Sequence, residues 1–323
     1  MKNILTFVEI KEGNILKNSL EAISAGKKIG DKVIAAILKN DEKLIKELIN
    51  SGADEVMVLK SSKLEKINLD IYVEAFEKIL KDKEFSAFIL GGTLVGKELA
   101  SRLASRLEVG CVTDAIGLKL DEKENVIWTC PAYGGTLFSD MMMDNSQLQI
   151  GTIRSGAFKK LEEEERKGEV VSVELELEEN NIKTRIVNVV KEIAETVDLE
   201  SAEVIIAGGR GMGNADNFKL VEELAGLLGG VVGATRPAIE AGWISKNHQV
   251  GQSGKIVGPK LYIACGISGA VQHVSGMVGS DYIVAINKDE DAPIFEVANV
   301  GIVGNVMEAL PIMINEIKQM REN

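Results

Sequence analysis

The 323-residue sequence predicts an α/β protein of two domains, each built around a parallel sheet. Three observations predict this fold class. Apolar runs typical of buried strands alternate with segments of helical periodicity through residues 4–106. Strict alternation of apolar and polar residues follows, as in half-exposed antiparallel hairpins. After residue 201 glycine becomes frequent between further apolar runs, which indicates a second domain with a different kind of loop.

The N-terminal part alternates strands with helices in chain order. The predicted strands are residues 4–8, 32–38, 55–59 and 87–90, and the predicted helices are residues 20–29, 44–50, 71–80 and 97–106. Right-handed βαβ connections between such elements produce a parallel sheet. Two antiparallel hairpins, residues 116–128 and 171–190, are predicted to follow as additions to this sheet. The charged run at 159–169 between them predicts a solvated connector.

The boundary between the domains is predicted in a short amphipathic segment without glycine. We assign residues 1–190 to the N-terminal domain, 191–201 to a linker or hinge, and 202–323 to the C-terminal domain. The C-terminal domain is predicted to be a doubly wound parallel sheet, because four apolar runs each end in a loop of small and polar residues. Residues 208–279 contain 16 of the 32 glycines of the chain. The four runs are residues 204–207, 231–233, 261–264 and 282–286.

Composition excludes several classes of protein. The formal charge of −12 lacks the positive footprint with which nucleic-acid binders neutralise phosphates, so no nucleic-acid partner is expected. Two histidines and three cysteines without metal-ligand or redox spacing predict no metal site. The few cysteines also indicate a reducing compartment, which we interpret as the cytoplasm. No apolar stretch of about 18 residues runs without polar interruption, so no membrane insertion is expected.

The loop after the first C-terminal strand combines glycine with a cation. Gly208, Gly209, Gly211 and Gly213 surround Arg210. Glycine permits close approach of the backbone, and a helix beginning here would direct free N–H groups at an anion. Asn214 stands where a dinucleotide-binding fingerprint requires glycine, so the motif is weak by itself. A simple tight turn between strand and helix is the alternative.

Two further loops offer hydrogen-bonding groups. Thr235 and Arg236 end the second strand and precede Pro237, although an ion pair between Arg236 and Glu240 would also explain the arginine. Residues 249–254 (QVGQSG) place amides and a hydroxyl around two glycines, without a local apolar purpose. Such groups can bind the polar edge of a heterocycle or a phosphate.

The remaining strand ends carry similar chemistry. Small residues lead to Gln272 and His273 after the third strand, and Asn287 ends the fourth. A lone histidine is often structural, but in this loop we interpret His273 as a ligand-facing residue. Residues 233–289 contain five basic and three acidic side chains, a positive segment in an acidic chain. This contrast favours an anionic ligand of the size of a pyrophosphate.

These motifs together resemble the C-terminal half of the electron transfer flavoprotein alpha subunit family. The segments GGRG, GATRP, QVGQSG, LYIACGISGAVQH, AINKD and APIFEVANVGIVGNV occur in the family's order from Val204 to about Pro311. The first half resembles the family's more variable, nucleotide-hydrolase-like α/β domain. The resemblance implies an N-terminal parallel sheet with antiparallel hairpins and a C-terminal FAD-binding domain.

The resemblance also implies which residues contact FAD. Two of them depart from the commoner family pattern: Ser253 stands where many members have threonine, and Asn305 where many have aspartate. The second change makes a ribose contact neutral. The implied contacts are Arg210, Thr235, Arg236, Gln249, Val250, Gly251, Gln252, Ser253, Ser268, Gly269, Ala270, Val271, Gln272, His273, Asn287, Asn305 and Val306.

Three of these residues are predicted to tune the flavin. Arg236 near the isoalloxazine would favour an electron-rich ring, and His273 at the pyrimidine edge would stabilise charge on N1 and O2. Ser253 could donate a hydrogen bond to N5. Together they are predicted to raise the potential of the first one-electron reduction, because the protein supplies binding and electrostatics while the flavin carries the redox step.

The resemblance implies that the chain is an electron-carrier subunit and not an enzyme. The implied partners are a beta subunit carrying AMP or a second FAD, and a flavoenzyme of the acyl-CoA dehydrogenase type. Electron bifurcation from NADH is a variant of this role that the sequence leaves open. The alternatives are a nucleotide-dependent oxidoreductase using His273 or Ser268, and a nucleotide-sensing protein. The implied exchange of partners also predicts a mobile C-terminal domain.

Overall fold

The computed structural model describes residues 2–65, 68–82, 84–135, 137–143, 148–177, 182–184, 187 and 197–322. The chain divides into two compact units, Met1–Lys191 and Glu192–Asn323. Each unit contains its own parallel sheet and its own hydrophobic core. The predicted linker, residues 191–201, falls largely outside the described residues, and its described part, 197–201, forms neither helix nor strand.

The described N-terminal unit contains strands and helices in near alternation, as the sequence predicts. Its strands are β1 (Asn3–Phe7), β2 (Ile10–Lys11), β3 (Asn14–Ile15), β4 (Lys32–Ile37), β5 (Glu55–Lys60), β6 (Ala87–Gly91), β7 (Cys111–Ala115), β8 (Gly117–Leu120), β9 (Val126–Ala132), β10 (Leu137–Met142), β11 (Gln149–Ile153) and β12 (Glu169–Glu174). Its helices are α1 (Lys17–Gly26), α2 (Glu42–Asn50), α3 (Leu69–Asp82) and α4 (Leu94–Leu107).

Seven of these strands form one parallel sheet in the order β12-β5-β4-β1-β6-β11-β7. Consecutive residues of β1 contribute to opposite faces: Ile4 packs in one core cluster and Leu5 in the other. On the second face Phe76 of α3 stacks on Phe88 of β6, with ring centroids 5.1 Å apart. Both faces of the sheet are therefore buried, which explains why its central strands are almost wholly apolar.

The antiparallel part differs from the prediction in one respect. The first hairpin is confirmed: β8, β9 and β10 form an antiparallel sheet. The second hairpin, predicted over residues 171–190, is wrong where the structure describes it, because β12 pairs in parallel with β5 at the sheet edge. Val173 packs against the core while Glu174 is exposed, and an edge strand with one wet face shows the same alternation as a hairpin.

The connector before β12 agrees with its prediction. Residues 159–167 are exposed and form neither helix nor strand. Strands β7 and β11 were not predicted, although both belong to the parallel sheet. Gly151 in β11 lies against Trp128, and a Cβ there would come within 2.3 Å of the indole. Close packing against this ring requires glycine in the strand, which weakens its apolar pattern.

The C-terminal unit is a five-stranded parallel sheet in the order β14-β13-β15-β16-β17. Core clusters lie on both of its faces, so the predicted doubly wound architecture is confirmed. Strand β17 was not predicted, since it is four residues long and mostly exposed. The elements are β13 (Val204–Gly208), α5 (Phe218–Leu228), β14 (Val231–Ala234), α6 (Arg236–Glu240), β15 (Leu261–Cys265), α7 (Val271–Val274), β16 (Ile283–Asn287), α8 (Ile294–Val297), β17 (Val300–Val303) and α9 (Val306–Glu322).

Within the ranges given above, no helix has both the length and the apolar composition needed to cross a membrane. In the same ranges, no three histidine, cysteine, aspartate or glutamate residues lie together in a way that could hold a metal ion.

Candidate cofactor site

The loops singled out by the sequence meet at one edge of the C-terminal sheet. Gly208 at the end of β13 lies opposite both Ala234 of β14 and Cys265 of β15. Farther along the sheet, Asn287 at the end of β16 lies opposite Val303 of β17. The carboxyl ends of all five parallel strands are therefore aligned. Open α/β sheets bind ligands outside this edge, at the point where the strand order reverses.

The strand order reverses between β13 and β15, and here two glycine loops pack backbone to backbone. The N–H of Gly211 donates to the carbonyl of Gly266 at 2.9 Å, and a Cβ on Gly209 would lie 2.4 Å from that same oxygen. These glycines are thus required by contacts within the protein. The close backbone approach that the sequence predicts for this loop is therefore, at Gly209 and Gly211, an approach to Gly266 of the same chain.

The GGRG loop also differs from the expected strand-to-helix turn. Arg210–Met212 forms a short 3-10 turn, and α5 begins only at Phe218. No α-helix N-terminus therefore follows Arg210 directly. The side chain of Arg210 is exposed at the sheet edge.

Thr235 contributes to this edge a buried side-chain hydroxyl that has no hydrogen-bond partner among the described residues. It follows β14, and its side chain is only 7% exposed. Its backbone N–H donates to the carbonyl of Gly208 at 3.1 Å, but Oγ1 has no hydrogen-bond partner and does not cap α6. Leaving a buried hydroxyl unpaired costs about 1–3 kcal/mol. Such a group is expected where a molecule from outside the chain supplies the partner.

Arg236 forms the ion pair that the sequence offered as an alternative. Its Nε lies 2.7 Å from Oε1 of Glu240, and the Arg236 side chain is 65% exposed. An exposed pair one helical turn apart contributes less than about 1 kcal/mol. The guanidinium therefore remains available to a stronger anionic partner.

Residues 249–254 are held between β14 and α7. The N–H of Val250 donates to the carbonyl of Ala234 at 2.9 Å, and the N–H of Gln252 donates to the carbonyl of Gln272 at 2.7 Å. Within the loop, Nε2 of the buried Gln249 donates to Oγ of Ser253 at 2.9 Å. These bonds fix the loop while Ser253 itself stays exposed.

Glycine makes this arrangement possible at two positions. Gly251 has a φ of +134°, which side-chain-bearing residues rarely adopt. A Cβ on Gly276 would lie 2.4 Å from the Cα of Gly251. At Gly251 and Gly276 the loop and the segment after α7 therefore meet backbone to backbone.

His273 is buried, at 7% exposure, and both ring nitrogens have protein partners. Nδ1 lies 3.1 Å from the carbonyl oxygen of Val250, and Nε2 lies 3.0 Å from the hydroxyl of Tyr262. A carbonyl can only accept, so Nδ1 carries the proton and Nε2 accepts from the tyrosine. Burial lowers the pKa of His273 to about 4, against a smaller opposing effect of the Val250 hydrogen bond. The ring is therefore neutral at pH 7.

The other predicted contacts divide into exposed and buried groups. Ser268, Ala270, Val271 and Gln272 are exposed at the sheet edge. Gly269, with a φ of +90°, packs against Ile294. The remaining members are held by internal contacts: Val250 and Val306 have their side chains in the core, Nδ2 of Asn287 donates to the carbonyl of Ile267, and Oδ1 of Asn305 accepts from the N–H of Met307 in the first turn of α9.

The residues present fit a dinucleotide such as FAD. The edge combines an unpartnered buried hydroxyl at Thr235, exposed cations at Arg210 and Arg236, and exposed amides at Gln252 and Gln272. Cations suit phosphates, and hydroxyls and amides suit a sugar or the polar edge of a ring. Sequence reasoning missed Tyr262, which it treated only as part of a strand. A tyrosine inside an apolar run is the available signal, because a buried phenol needs a partner.

The same geometry argues against an independent hydrolytic site. Neither His248 nor His273 hydrogen-bonds a serine or a carboxylate in the described structure. Ser268 is exposed, and burial raises the pKa of the Cys265 thiol to about 12. None of these groups is arranged as an activated nucleophile.

Comparison with known families and proteins agrees with this chemistry. Residues 4–178 match the family described as the electron transfer flavoprotein domain, and residues 198–278 match the electron transfer flavoprotein FAD-binding domain. The chain is 41% identical to the electron transfer flavoprotein subunit alpha of Thermoanaerobacterium thermosaccharolyticum, over 99% of both chains. It is also 41% identical to the subunit of the same name from Megasphaera elsdenii, over 99% of this chain and 97% of that one.

A third relative has a more specific name. The acryloyl-CoA reductase electron transfer subunit beta of Anaerotignum propionicum is 35% identical, over 98% of this chain and 96% of its own length. The FAD-binding family match covers the loops through α7 and ends before Asn287, Asn305 and Val306. Two domain matches in order and full-length relatives near 40% identity agree with the edge geometry: the chain belongs to the electron transfer flavoprotein alpha subunit family, and its C-terminal unit contains the family's FAD-binding domain.

Proposed function

We propose that this chain is an electron-carrier subunit that binds FAD at the carboxyl edge of β13–β17. The observation that carries the proposal is the Thr235 hydroxyl at the end of β14, which is buried and has no hydrogen-bond partner among the described residues. The bound flavin supplies the one- and two-electron redox chemistry. The protein residues bind and orient it and set the electrostatic field around it.

Each group at the edge has a distinct proposed task. Arg210 and Arg236 neutralise anionic oxygen on the cofactor, and the weak Arg236–Glu240 pair opens at little cost. Thr235 donates its hydroxyl to the cofactor. Ser253 lies on a loop braced by Gln249 and is proposed to donate to the flavin ring.

His273 is proposed to lie beside the flavin as a neutral ring. Both of its ring nitrogens already have partners in the chain. The ring is therefore proposed to contribute its dipole and its packing surface to the flavin, and not a hydrogen bond. Direct donation to the pyrimidine edge, as the sequence suggests, would require exchange of the Tyr262 partner. This role remains a prediction.

The electron-carrier role is supported by the names of relatives and by the site itself. The Anaerotignum relative is named as an electron transfer subunit of acryloyl-CoA reductase. An acyl-CoA dehydrogenase-type flavoenzyme is therefore the proposed exchange partner of this chain, either in simple electron transfer or in a bifurcating complex. No activated nucleophile or general base accompanies the described edge, which favours a carrier over an independent enzyme.

A beta subunit is the proposed permanent partner, and β10 is the proposed contact surface. All six residues of β10 are exposed, and Leu137, Phe138, Met141 and Met142 are apolar. Within the described sheet, β10 pairs only with β9, so one edge carries open backbone groups. An exposed, apolar edge strand invites aggregation unless a partner covers it. The relatives named as alpha subunits support a beta subunit as that partner.

Co-expression with a beta subunit tests both parts of the proposal. The purified complex is expected to be yellow and to release FAD on denaturation, with the FAD count per complex distinguishing one flavin from two. A colourless complex with a stable beta subunit would contradict the FAD proposal.

Phe138→Asp is expected to abolish co-purification of the beta subunit, because it places a charge on the apolar strand. Leu94→Asp, at an 85% exposed position of the same unit, is the matched control and should leave the complex intact.

A further inference from the structure

We propose that Tyr262 is a positioning residue that fixes the tautomer and orientation of His273, and through it the 249–254 loop. Tyr262 lies in the central strand β15 and is fully buried. Its hydroxyl lies 3.0 Å from Nε2 of His273. The redox consequence of this role rests on the proposed function, whereas the hydrogen-bond arrangement does not.

The direction of the two hydrogen bonds follows from the acceptor. The Val250 carbonyl cannot donate, so His273 must present Nδ1–H to it across 3.1 Å. Nε2 then has only a lone pair, and the Tyr262 hydroxyl is the donor that satisfies it. Removing the Tyr262 hydroxyl would leave the buried Nε2 of His273 without a hydrogen-bond donor. The opposite tautomer would set the Nδ1 lone pair against the carbonyl oxygen and is disfavoured.

The histidine in turn links three segments. Strand β15 supplies Tyr262, α7 supplies His273, and the loop supplies the Val250 carbonyl. The Gln252 N–H to Gln272 carbonyl bond and the backbone contact of Gly251 with Gly276 join the same loop to the same segment. Tyr262 therefore anchors the loop carrying Gln252 and Ser253 to the rigid centre of the sheet.

A phenol stands in this otherwise apolar strand because Nε2 of His273 needs a hydrogen-bond donor. Burial raises the pKa of Tyr262 well above its usual value, so the hydroxyl keeps its proton and remains a donor. A phenylalanine would fill the same space without supplying a donor to Nε2. The hydroxyl thus has a polar task distinct from core packing.

The chain offers an unusually direct spectroscopic test, because it contains only two histidines. His248 also directs Nδ1 at a carbonyl, that of Val232 at 2.7 Å, and serves as the internal control. In the ¹⁵N spectrum of the histidine-labelled full-length chain in its purified complex, His273 is expected to show a protonated Nδ1 and a hydrogen-bonded, unprotonated Nε2. In Tyr262→Phe the Nε2 resonance should move to the position of an unbonded imine nitrogen, and the Nδ1–H should exchange with water roughly tenfold faster. The His248 signals should not move.

A second set of variants separates positioning from packing. His273→Gln can accept from Tyr262 and donate to Val250, so it should preserve loop protection in hydrogen exchange, whereas His273→Leu should lose it. Adding Tyr262→Phe to His273→Leu should then have no further effect on protection at 249–254 or on the midpoint potential of bound FAD. Unchanged His273 resonances in Tyr262→Phe, or a protonated Nε2 in the parent chain, would overturn the inference. If the His273 spectrum is as expected but the complex does not bind FAD, only the proposed function would be overturned.

Discussion

The two parallel sheets of this chain differ at the point where their strand order reverses. In the N-terminal sheet the strand order reverses between β1 and β6, and side chains join across the reversal: Oγ1 of Thr93 donates to Oε1 of Glu9 at 2.6 Å. In the C-terminal sheet it reverses between β13 and β15, where glycine backbones meet and the Thr235 hydroxyl nearby has no partner. At the N-terminal reversal the threonine hydroxyl is paired within the chain, and at the C-terminal reversal the threonine hydroxyl is not.

Further contacts at the N-terminal edge pair most of its buried polar groups within the chain. Nδ2 of Asn18 donates to Oγ of Ser155 at 2.8 Å, and the N–H of Gly156 donates to Oε2 of the buried Glu21 at 3.0 Å. The other oxygen of Glu21, Oε1, has no hydrogen-bond partner and lies 3.7 Å from Nζ of Lys17. The Thr93 hydroxyl also caps α4 by accepting from Gly96 at 2.9 Å. The two sheets share one architecture, so the difference between the two reversals lies in whether the threonine hydroxyl finds a partner within the chain.

The largest expected effect comes from adding one methyl group to the C-terminal edge. Gly276→Ala places a Cβ 2.4 Å from the Gly251 Cα, and neither backbone can yield without displacing the 249–254 loop. We expect nearly complete loss of bound FAD and a decrease in unfolding free energy of about 1–3 kcal/mol. Flavin absorbance per protein and chemical denaturation measure the two effects.

Gly279→Ala is the matched control for this substitution. Its Cβ would lie 3.9 Å from the backbone oxygen of Val257, which is an ordinary van der Waals contact. The variant should retain FAD. Equal loss of FAD in both variants would show that the backbone contact of Gly251 with Gly276 is not what shapes the loop.

The two units should also respond to acid in different pH ranges. The pKa of His273 is lowered to about 4 from 6.5 by burial, so the unfolded chain takes up a proton first. The C-terminal unit should therefore lose up to about 3 kcal/mol of stability as the pH falls from about 6.5 to 4. Fluorescence of Trp243, with Trp128 replaced, would follow that unit, and His273→Gln should flatten this part of the profile.

The lowered pKa of Asp70 predicts an acid transition of the N-terminal unit at a lower pH. Burial raises its pKa, but hydrogen bonds from Thr184 and Arg102 outweigh burial and hold the pKa at about 2. Stability from this lowered pKa is present above about pH 4 and is lost as the pH falls toward 2, by about 2–3 kcal/mol. Trp128 fluorescence should report it, and Asp70→Asn should remove it. Loss of the N-terminal unit at the higher pH would reverse the proposed order.

The smallest expected effects come from a pair of threonine substitutions, and they differ in sign. Thr235→Val removes an unpartnered buried hydroxyl, so the FAD-free protein should become more stable by about 1 kcal/mol while FAD affinity falls roughly tenfold. Thr93→Val removes a bonded, capping hydroxyl and should cost about 1 kcal/mol without changing FAD affinity. Thermal unfolding and FAD titration of the same preparations give both quantities. Unchanged FAD affinity in Thr235→Val would show that its hydroxyl faces no cofactor.

The comparison also shows what could be predicted from the sequence. Periodicity predicted the alternating elements and the loop chemistry of the C-terminal strands, because those signals are local. It misassigned residues 171–177, since an edge strand such as β12 and a hairpin strand share one wet face. It missed β11, where Gly151 interrupts the apolar run to admit Trp128.

Within the site, the sequence could predict which residues take part, but it could not predict which of their polar groups find hydrogen-bond partners in the chain. Thr235 and Thr93 both follow strands, and nothing local in the sequence distinguishes the hydroxyl that is paired from the one that is not. That difference depends on Glu9, which is distant from Thr93 in the chain. The role of Tyr262 was hidden for the same reason, because its partner His273 belongs to another element.

Hydrogen–deuterium exchange of the purified complex, depleted of FAD and then reloaded, tests the central contrast most directly. FAD should slow exchange at residues 208–213, 233–238, 249–255 and 266–276, and should leave residues 7–10, 91–96 and 153–157 of this chain unchanged. This result would place the cofactor at the edge where the Thr235 hydroxyl has no partner in the described chain. Protection of the N-terminal edge, or none at the C-terminal loops, would contradict the account.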